Sequence, residues 1–402
     1  MTDENKENIG KEENKKKNWF KHKLFAPYLL FVIFFVTIFC FLVQYTNTPK
    51  LVIPRYNHSA VVLNDGRILI TGGETIIKGK KIILDSAEIY NPKTKKSTLI
   101  PNKMNYARTT HASVLLPSGD VLIIGGDGEN KTSEIYNIRN SSFKKGANLN
   151  YLRRDVLAIL YDSKHILVVD TFSPHIEIYD IIQNKFRYIE SFKKPLRNTY
   201  EYANINGKLF FPIKTLDISR NSEIVTINYF DMNQNVVGEL KKKKHKTNYG
   251  IFDDCRFNAI SNINNSLVQF CASANYIYAE TYNFEKQIFE NISNKQEIFG
   301  LNALYPIVLD SSVLILGDIH SKTDNTEKYE ILYKINNNQI SLTKRPLKKF
   351  NKRSKLITTK KETYVIGGYY VLPILGFEIV SKKIEVLKWQ QTMNLENYPY
   401  MF

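Results

Sequence analysis

Beyond residue 50 the chain is a succession of short β-branched and aromatic runs separated by Asn, Asp, Gly and Lys, with almost no helical period. Runs of this kind predict strands and turns. Two markers recur. The first is four mostly apolar residues leading into a fixed position. It occurs at Ile68–Thr71 before Gly72, Val121–Ile124 before Gly125, Ile166–Val169 before Asp170 and Leu209–Pro212 before Ile213. It continues at Leu267–Phe270 before Cys271, Val313–Leu316 before Gly317 and Thr363–Ile366 before Gly367. The second is an aromatic residue followed seven positions later by an apolar one: Tyr136/Phe143, Tyr179/Phe186, Phe230/Val237, Tyr282/Phe289, Tyr333/Ile340 and Phe377/Ile384. Tyr90 is followed by Ser97 and departs from the rule. The aromatic positions step by 46, 43, 51, 52, 51 and 44 residues, and the two markers alternate strictly.

A unit of about 50 residues with four short strands has the size of one propeller blade, and stacked units bury what a single one leaves exposed. The expected fold is therefore all-β, a β-propeller of seven four-stranded blades, with six as the alternative if one weak unit is misread. Blade seven is expected at Lys355–Thr359, Glu362–Gly367, Gly376–Val380 and Lys383–Trp389, and Lys50–Pro54 is a candidate closing strand. An open edge would invite aggregation, so closure matters.

Two segments share one pattern in detail: His58-Ser-Ala-Val-Val-Leu-Asn-Asp-Gly-Arg-Ile-Leu-Ile-Thr-Gly-Gly73 and His111-Ala-Ser-Val-Leu-Leu-Pro-Ser-Gly-Asp-Val-Leu-Ile-Ile-Gly-Gly126. With the upstream Arg55 and Arg108 and the downstream Ser-Ala-Glu-Ile-Tyr-Asn-Pro, the pattern resembles kelch repeats, of the bacterial variety and of the central propeller of galactose oxidase. The match is strong over Arg55–Pro92 and Arg108–Asn137. It continues in Ile178-Tyr-Asp180 and in Gly367-Gly368, and rests on spacing in units four to six.

Before the repeats, residues 1–23 are polar and charged, too poor in apolar residues to fold alone. Leu24–Val43 is 20 residues without a charge, enough to span a bilayer as a helix. The lysines that precede it place the N-terminus in the cytoplasm. The expected organisation is a cytoplasmic tail over 1–23, a transmembrane signal anchor over 24–44, a linker or closing strand over 45–54, an extracytoplasmic propeller over 55–390 and a tail over 391–402.

Charge changes the picture little. The 56 Lys and Arg against 39 Asp and Glu give +17, about +15 of it beyond residue 23. The basic loops Lys241–Lys244 with Lys246, and Lys344 to Lys355, read as solvated faces able to meet anionic lipid or envelope polymer. No nucleic-acid motif is present.

Candidate chemistry is sparse. Arg55, Arg108 and Arg153 each lie 17 residues before the glycine position, with Arg256 and Arg353 slightly out of register. Two readings stay open: a partial ring of guanidinium groups at the channel mouth that binds an acidic ligand, or arginines that hold strand ends together. His58 and His111 are repeat-equivalent and are expected to be satisfied by local hydrogen bonds; no metal site is expected. Cys255 and Cys271 flank the turn Asn262–Asn265, and a hairpin centred on Ile263 would set them opposite each other, a candidate disulfide outside the cytoplasm.

The resemblance to galactose oxidase would imply copper held by tyrosines and histidines, but no such Tyr, His and Cys set is recognisable. No cofactor is expected. The expected function is a membrane-anchored module that binds protein or glycan. The rival implied by the family is a sugar-acting, sialic-acid-handling enzyme with Arg and Glu at the channel mouth.

Overall fold

In the first six units the aromatic spacing is one hairpin; of the seventh pair, Phe377 lies outside the described residues and Ile384 pairs with Ile366 instead. Tyr136 stands directly opposite Phe143, Tyr179 opposite Phe186, Phe230 opposite Val237, Tyr282 opposite Phe289 and Tyr333 opposite Ile340. Tyr90 stands opposite Ser97 in the same register. The turn is made the same way each time. Lys95, Ser141, Asn184, Asn235, Gln287 and Asn338, each five residues after its aromatic, take a left-handed backbone with φ between 49° and 58°. Cross-strand ring pairs 4.8–4.9 Å apart then lock three of the hairpins.

The computed structural model describes residues 31, 33–36 and 49–388, apart from 129, 197–201, 218–221, 241–256, 273–275, 295, 298, 302–304, 309–311, 321–327, 345–354, 360–361 and 372–377. The chain from Leu51 is all-β, a propeller with six complete blades. Blade one comprises Ser59–Val62, Ile68–Thr71, Ala87–Asn91 and Lys96–Leu99. Blade two comprises Ala112–Leu115, Val121–Ile124, Ser133–Asn137 and Ser142–Lys145. Blades three and four repeat this four-strand meander over 156–191 and 203–239, and blades five and six, with a fifth strand each, over 257–297 and 299–344.

The expected seventh blade is a sheet of three strands among the described residues: Lys355–Thr358, Glu362–Ile366 and Ile384–Lys388. Complete blades therefore number six, the smaller of the two expected counts. The strand expected third in that unit does not take that place. Glu378–Val380 pairs instead with Tyr369–Val371 as a separate ribbon, and Ile384 lies opposite Ile366. The sequence spacing is blind to such an insertion.

The second strand of each unit is the apolar marker, and it is buried along its length in blades one, two and three. Its two faces feed different cores. Leu69 packs with Val121, Ile123 and Tyr136, joining blades one and two. Leu122 and Ile124 pack with Ile166 and Val168, and Leu167 and Val169 with Leu209 and Phe211. Phe210 carries the series on to Leu267 and Tyr282. The core thus lies between blades, at about 1.5–3 kcal/mol for each large side chain removed from water.

The first and last units meet. Leu51, Ile68 and Ile70 share a core with Tyr364, Ile366 and Ile384, and the Leu51 N–H donates to the Lys382 carbonyl at 2.6 Å. Leu51, within the segment expected to close the ring, thus covers the last sheet.

Of the 24–44 segment only Phe31 and Ile33–Val36 are described; they are helical and exposed. Among the described residues no helix is long and apolar enough to cross a membrane.

Candidate functional site

The 17-residue spacing of the arginines is a direct contact. Arg55 Nη1 donates to the Gly72 carbonyl at 2.6 Å and Arg108 Nη1 to the Gly125 carbonyl at 2.8 Å. In blade three the glycine is replaced by Asp170, and its carboxylate lies 3.5 Å from Arg153 Nη1. All three guanidinium groups are fully buried. Each is held by a buried glutamate on the third strand of its own blade: Arg55 by Glu88 at 2.9 Å, Arg108 by Glu134 at 2.9 Å and Arg153 by Glu177 at 2.8 Å. Burial lowers the Arg55 pKa, and the Glu88 carboxylate opposes that shift.

Each glutamate does a second job: it accepts backbone N–H groups from the segment just before the arginine. Val52 donates to Glu88, Asn105 and Tyr106 to Glu134, and Asn150 to Glu177, at 2.6–3.2 Å. A buried carboxylate needs such company, because leaving it unpaired costs several kcal/mol. The glutamates were not singled out in the sequence. Their signal was there, in three Glu-Ile-Tyr triplets ending at Tyr90, Tyr136 and Tyr179.

The arginine backbone completes the ladder. The Arg108 carbonyl accepts from Gly73 N–H at 2.8 Å, the Arg153 carbonyl from Gly126 N–H at 3.0 Å and the Arg55 carbonyl from Gly368 N–H at 3.0 Å. The second glycine of each pair thus bonds to the next unit, and the three-stranded sheet bonds to blade one by the same device. In two of the three pairs the first glycine seats a histidine, while Gly125 faces Val156 and Arg153. A Cβ on Gly72 would lie 2.7 Å from His111 Cε1, and one on Gly367 would lie 2.9 Å from His58 Cε1. Both glycines also have positive φ, +56° and +65°, so two constraints exclude a side chain there.

This geometry favours the strand-end reading of Arg55, Arg108 and Arg153 over the ligand-binding ring. Arg256 and Arg353 lie outside the described residues, as do the basic runs 241–246 and 345–354. Cys271 is disulfide-bonded, but the expected register is corrected: Asn264 and Asn265, both left-handed, form the turn, and Cys271 stands opposite Asn258. The hairpin is therefore centred between the two asparagines rather than on Ile263, as a two-residue turn of this type requires. Cys255 lies outside the described residues.

A different polar group gathers where the inner strands begin. The inner strand of the last sheet packs against that of blade one, blade one against blade two and blade two against blade three. His58 and His111 immediately precede the strands of blades one and two, and Asp155 that of blade three. Asn57, Thr110 and Asp155, each two residues after its arginine, have φ of 53°, 51° and 60°. Left-handed backbone is unfavourable for a β-branched threonine. The three are strung together: Thr110 N–H donates to the Asn57 carbonyl at 2.8 Å, and Asp155 N–H to Thr110 Oγ1 at 3.2 Å.

His111 Nε2 is 2.7 Å from Thr71 Oγ1, so its expected local hydrogen bond is present. Among the described residues no hydrogen bond of ordinary geometry reaches either ring nitrogen of His58. Burial first, then the charges of Arg55 and Lys355, hold His58 well below the usual imidazole range, though the Arg55 backbone lies near enough to oppose that shift slightly. Burial, then Arg108, does the same to His111. Both rings are neutral near pH 7. Lys355, the first residue of its inner strand, keeps exposed surface, yet surrounding protein lowers its pKa while Asp155 opposes the shift. The set can bind: two neutral imidazoles, one ammonium and one carboxylate.

Among known proteins, no family model matches the chain, and no curated protein matches it.

Proposed function

We propose that the chain is a membrane-anchored, extracytoplasmic propeller of the kelch type that binds an acidic protein or glycan at the channel mouth around Lys355. The observation that carries the binding reading is the contrast between Lys355 and the arginines. Each buried arginine is closed off by a buried glutamate, whereas Lys355 keeps exposed surface beside two neutral imidazoles and the Asp155 carboxylate. A carboxylate, sulfate or phosphate entering there would meet an ammonium group in a partly desolvated site, where charge-assisted hydrogen bonds are strong.

Three observations support the rest of the reading. Gly367-Gly368 makes the backbone link that Gly72-Gly73 and Gly125-Gly126 make, which supports reading the three-stranded sheet as a shortened seventh kelch unit. Phe31, Ile33, Phe34, Phe35 and Val36 are each at least 49% exposed. At 100° per residue they cover the helix all round, which suits lipid better than water. The disulfide at Cys271 suits an oxidising compartment outside the cytoplasm.

The test is binding of the detergent-solubilised full chain to immobilised acidic and neutral glycans and peptides. Selective retention on acidic surfaces, lost in Lys355→Met at unchanged melting temperature, supports the site. Equal retention of wild type and Lys355→Met, or none on acidic surfaces, overturns it.

A further inference from the structure

Between the second and third strands of blade one the chain makes an extra ribbon, Glu74–Ile77 paired with Lys80–Ile83. Lys78 and Gly79 form its two-residue turn, with φ of 50° and 75°. The ribbon is rooted firmly: Tyr56 and Glu74 exchange both backbone hydrogen bonds at 2.8 and 3.0 Å, and Leu84 N–H donates to the Gly73 carbonyl. From Ile77 to Ile83 every residue is exposed. That stretch is Ile-Lys-Gly-Lys-Lys-Ile-Ile.

The isoleucines occupy both faces. Ile77 opposes Lys80 and Ile82 opposes Thr75, so Ile77 and Ile82 share one face, while Ile83, opposite Glu74, lies on the other. Their exposures are 52%, 40% and 48%. A ribbon packed on a protein surface hides one face. This one leaves large apolar groups bare on both, with lysines 78, 80 and 81 around its tip. Apolar groups flanked by lysine suit the boundary between headgroups and acyl chains of an anionic bilayer, where isoleucine enters and ammonium groups stay among the phosphates.

We infer that the Ile77–Ile83 ribbon docks on an anionic lipid surface. The proposal extends the membrane reading above and rests on it for the presence of a bilayer. The ribbon's root, Tyr56, follows the predicted span ending at Val43 by only 13 residues, so the docking element belongs to the part of the propeller that the chain enters first.

The test uses the full chain with Cys40→Ser, an environment-sensitive fluorophore on Ile77→Cys, and a control fluorophore on the exposed Lys164→Cys. The chain is mixed with vesicles of phosphatidylcholine alone or with phosphatidylglycerol added, and flotation and quenching by doxyl-labelled lipid are read together. The expected result is quenching of the Ile77 probe, but not of the Lys164 probe, in anionic vesicles. Replacing lysines 78, 80 and 81 by serine should lower the docked fraction about 5-fold per lysine.

Flotation with both vesicle types while the Ile77 probe stays in water would support the anchor and overturn the docking. Flotation with anionic vesicles alone, with the probe quenched, would support the docking and overturn the anchor. Flotation with neither overturns both. Equal quenching in neutral and anionic vesicles overturns the anionic preference. Probe burial that grows with protein concentration in detergent assigns the ribbon to a second copy of this chain, and overturns the proposal.

Discussion

Blades one to three and blades four and five reach the same four-strand meander by different physics. In the first three, neighbouring units are joined by a polar ladder: a buried arginine, its glutamate partner and a backbone link from the preceding unit. In blade four Ile213 fills the glycine position and is itself buried, with Phe210, Phe211 and Phe230 around the same strands. At the position of the glutamate stands Asn228, bonded to Thr226 at 3.3 Å. In blade five Cys271 takes the glycine position. The lesson concerns specificity of residue type. A buried guanidinium tolerates few partners, so the ladder demands particular residues at set spacings. Apolar packing accepts many side chains of suitable volume.

The contrast can be broken at its strongest point first. Glu134→Ala leaves Arg108 buried and unpaired and strips the acceptor from Asn105 and Tyr106, so it should cost about 3–5 kcal/mol in denaturant unfolding. Replacing both partners, Arg108→Met with Glu134→Leu, should recover most of that loss; a double variant as unstable as the single would show that the backbone bonds to Glu134, not the ion pair, dominate. In blade four the large effect moves to the apolar side: Phe230→Ala should cost about 3–5 kcal/mol.

Gly72→Ala sharpens the comparison from the backbone. The left-handed φ and the His111 ring both oppose a Cβ, so a loss of about 1–3 kcal/mol is expected in thermal unfolding. The same change at a glycine with open space around it, such as Gly79, should lose only the φ contribution.

Acid provides a further test. His58 and His111 have folded pKa values below the ordinary 6.5. Between the two values the unfolded chain binds the proton more readily, so stability is complete above about pH 6.5 and falls as pH drops below it, by about 1.4 kcal/mol per pH unit for each histidine. His58→Phe should flatten the slope of melting temperature against pH between 6.5 and 5. An unchanged slope would mean that His58 is hydrated and titrates normally. The smallest effect expected is Asn228→Ala, about 1 kcal/mol or less, since its one side-chain bond is weak. A loss like that of Glu134→Ala would erase the distinction between the two sets of blades.

Much of this architecture was legible in the residues. The seven-residue aromatic spacing is the third hairpin of a blade, because a short turn with one left-handed residue sets two strand positions directly opposite. The 17-residue arginine spacing is a contact, because the first two strands of a unit return the chain to its starting end. Less legible was the direction in which the arginines point. A ring of arginines facing a channel and a set of arginines buried in their own blades have the same spacing; the glutamate two residues before each tyrosine decides between them. The residue opposite Cys271 is Asn258, three positions from the expected Cys255, because the turn lies between Asn264 and Asn265 rather than on Ile263.

Local pattern alone determined the strand content, the repeat length and the propeller class, since these follow from periodicity and turn chemistry within about 50 residues. What only the tertiary structure decided was how units meet. It turned Gly72 and Gly367 into seats for the histidines of the following unit, reduced the last sheet to three strands by diverting Glu378–Val380 into a ribbon, and left Lys355 exposed where the arginines are buried. Those outcomes depend on contacts between residues far apart along the chain, where several arrangements share one sequence pattern and packing selects among them.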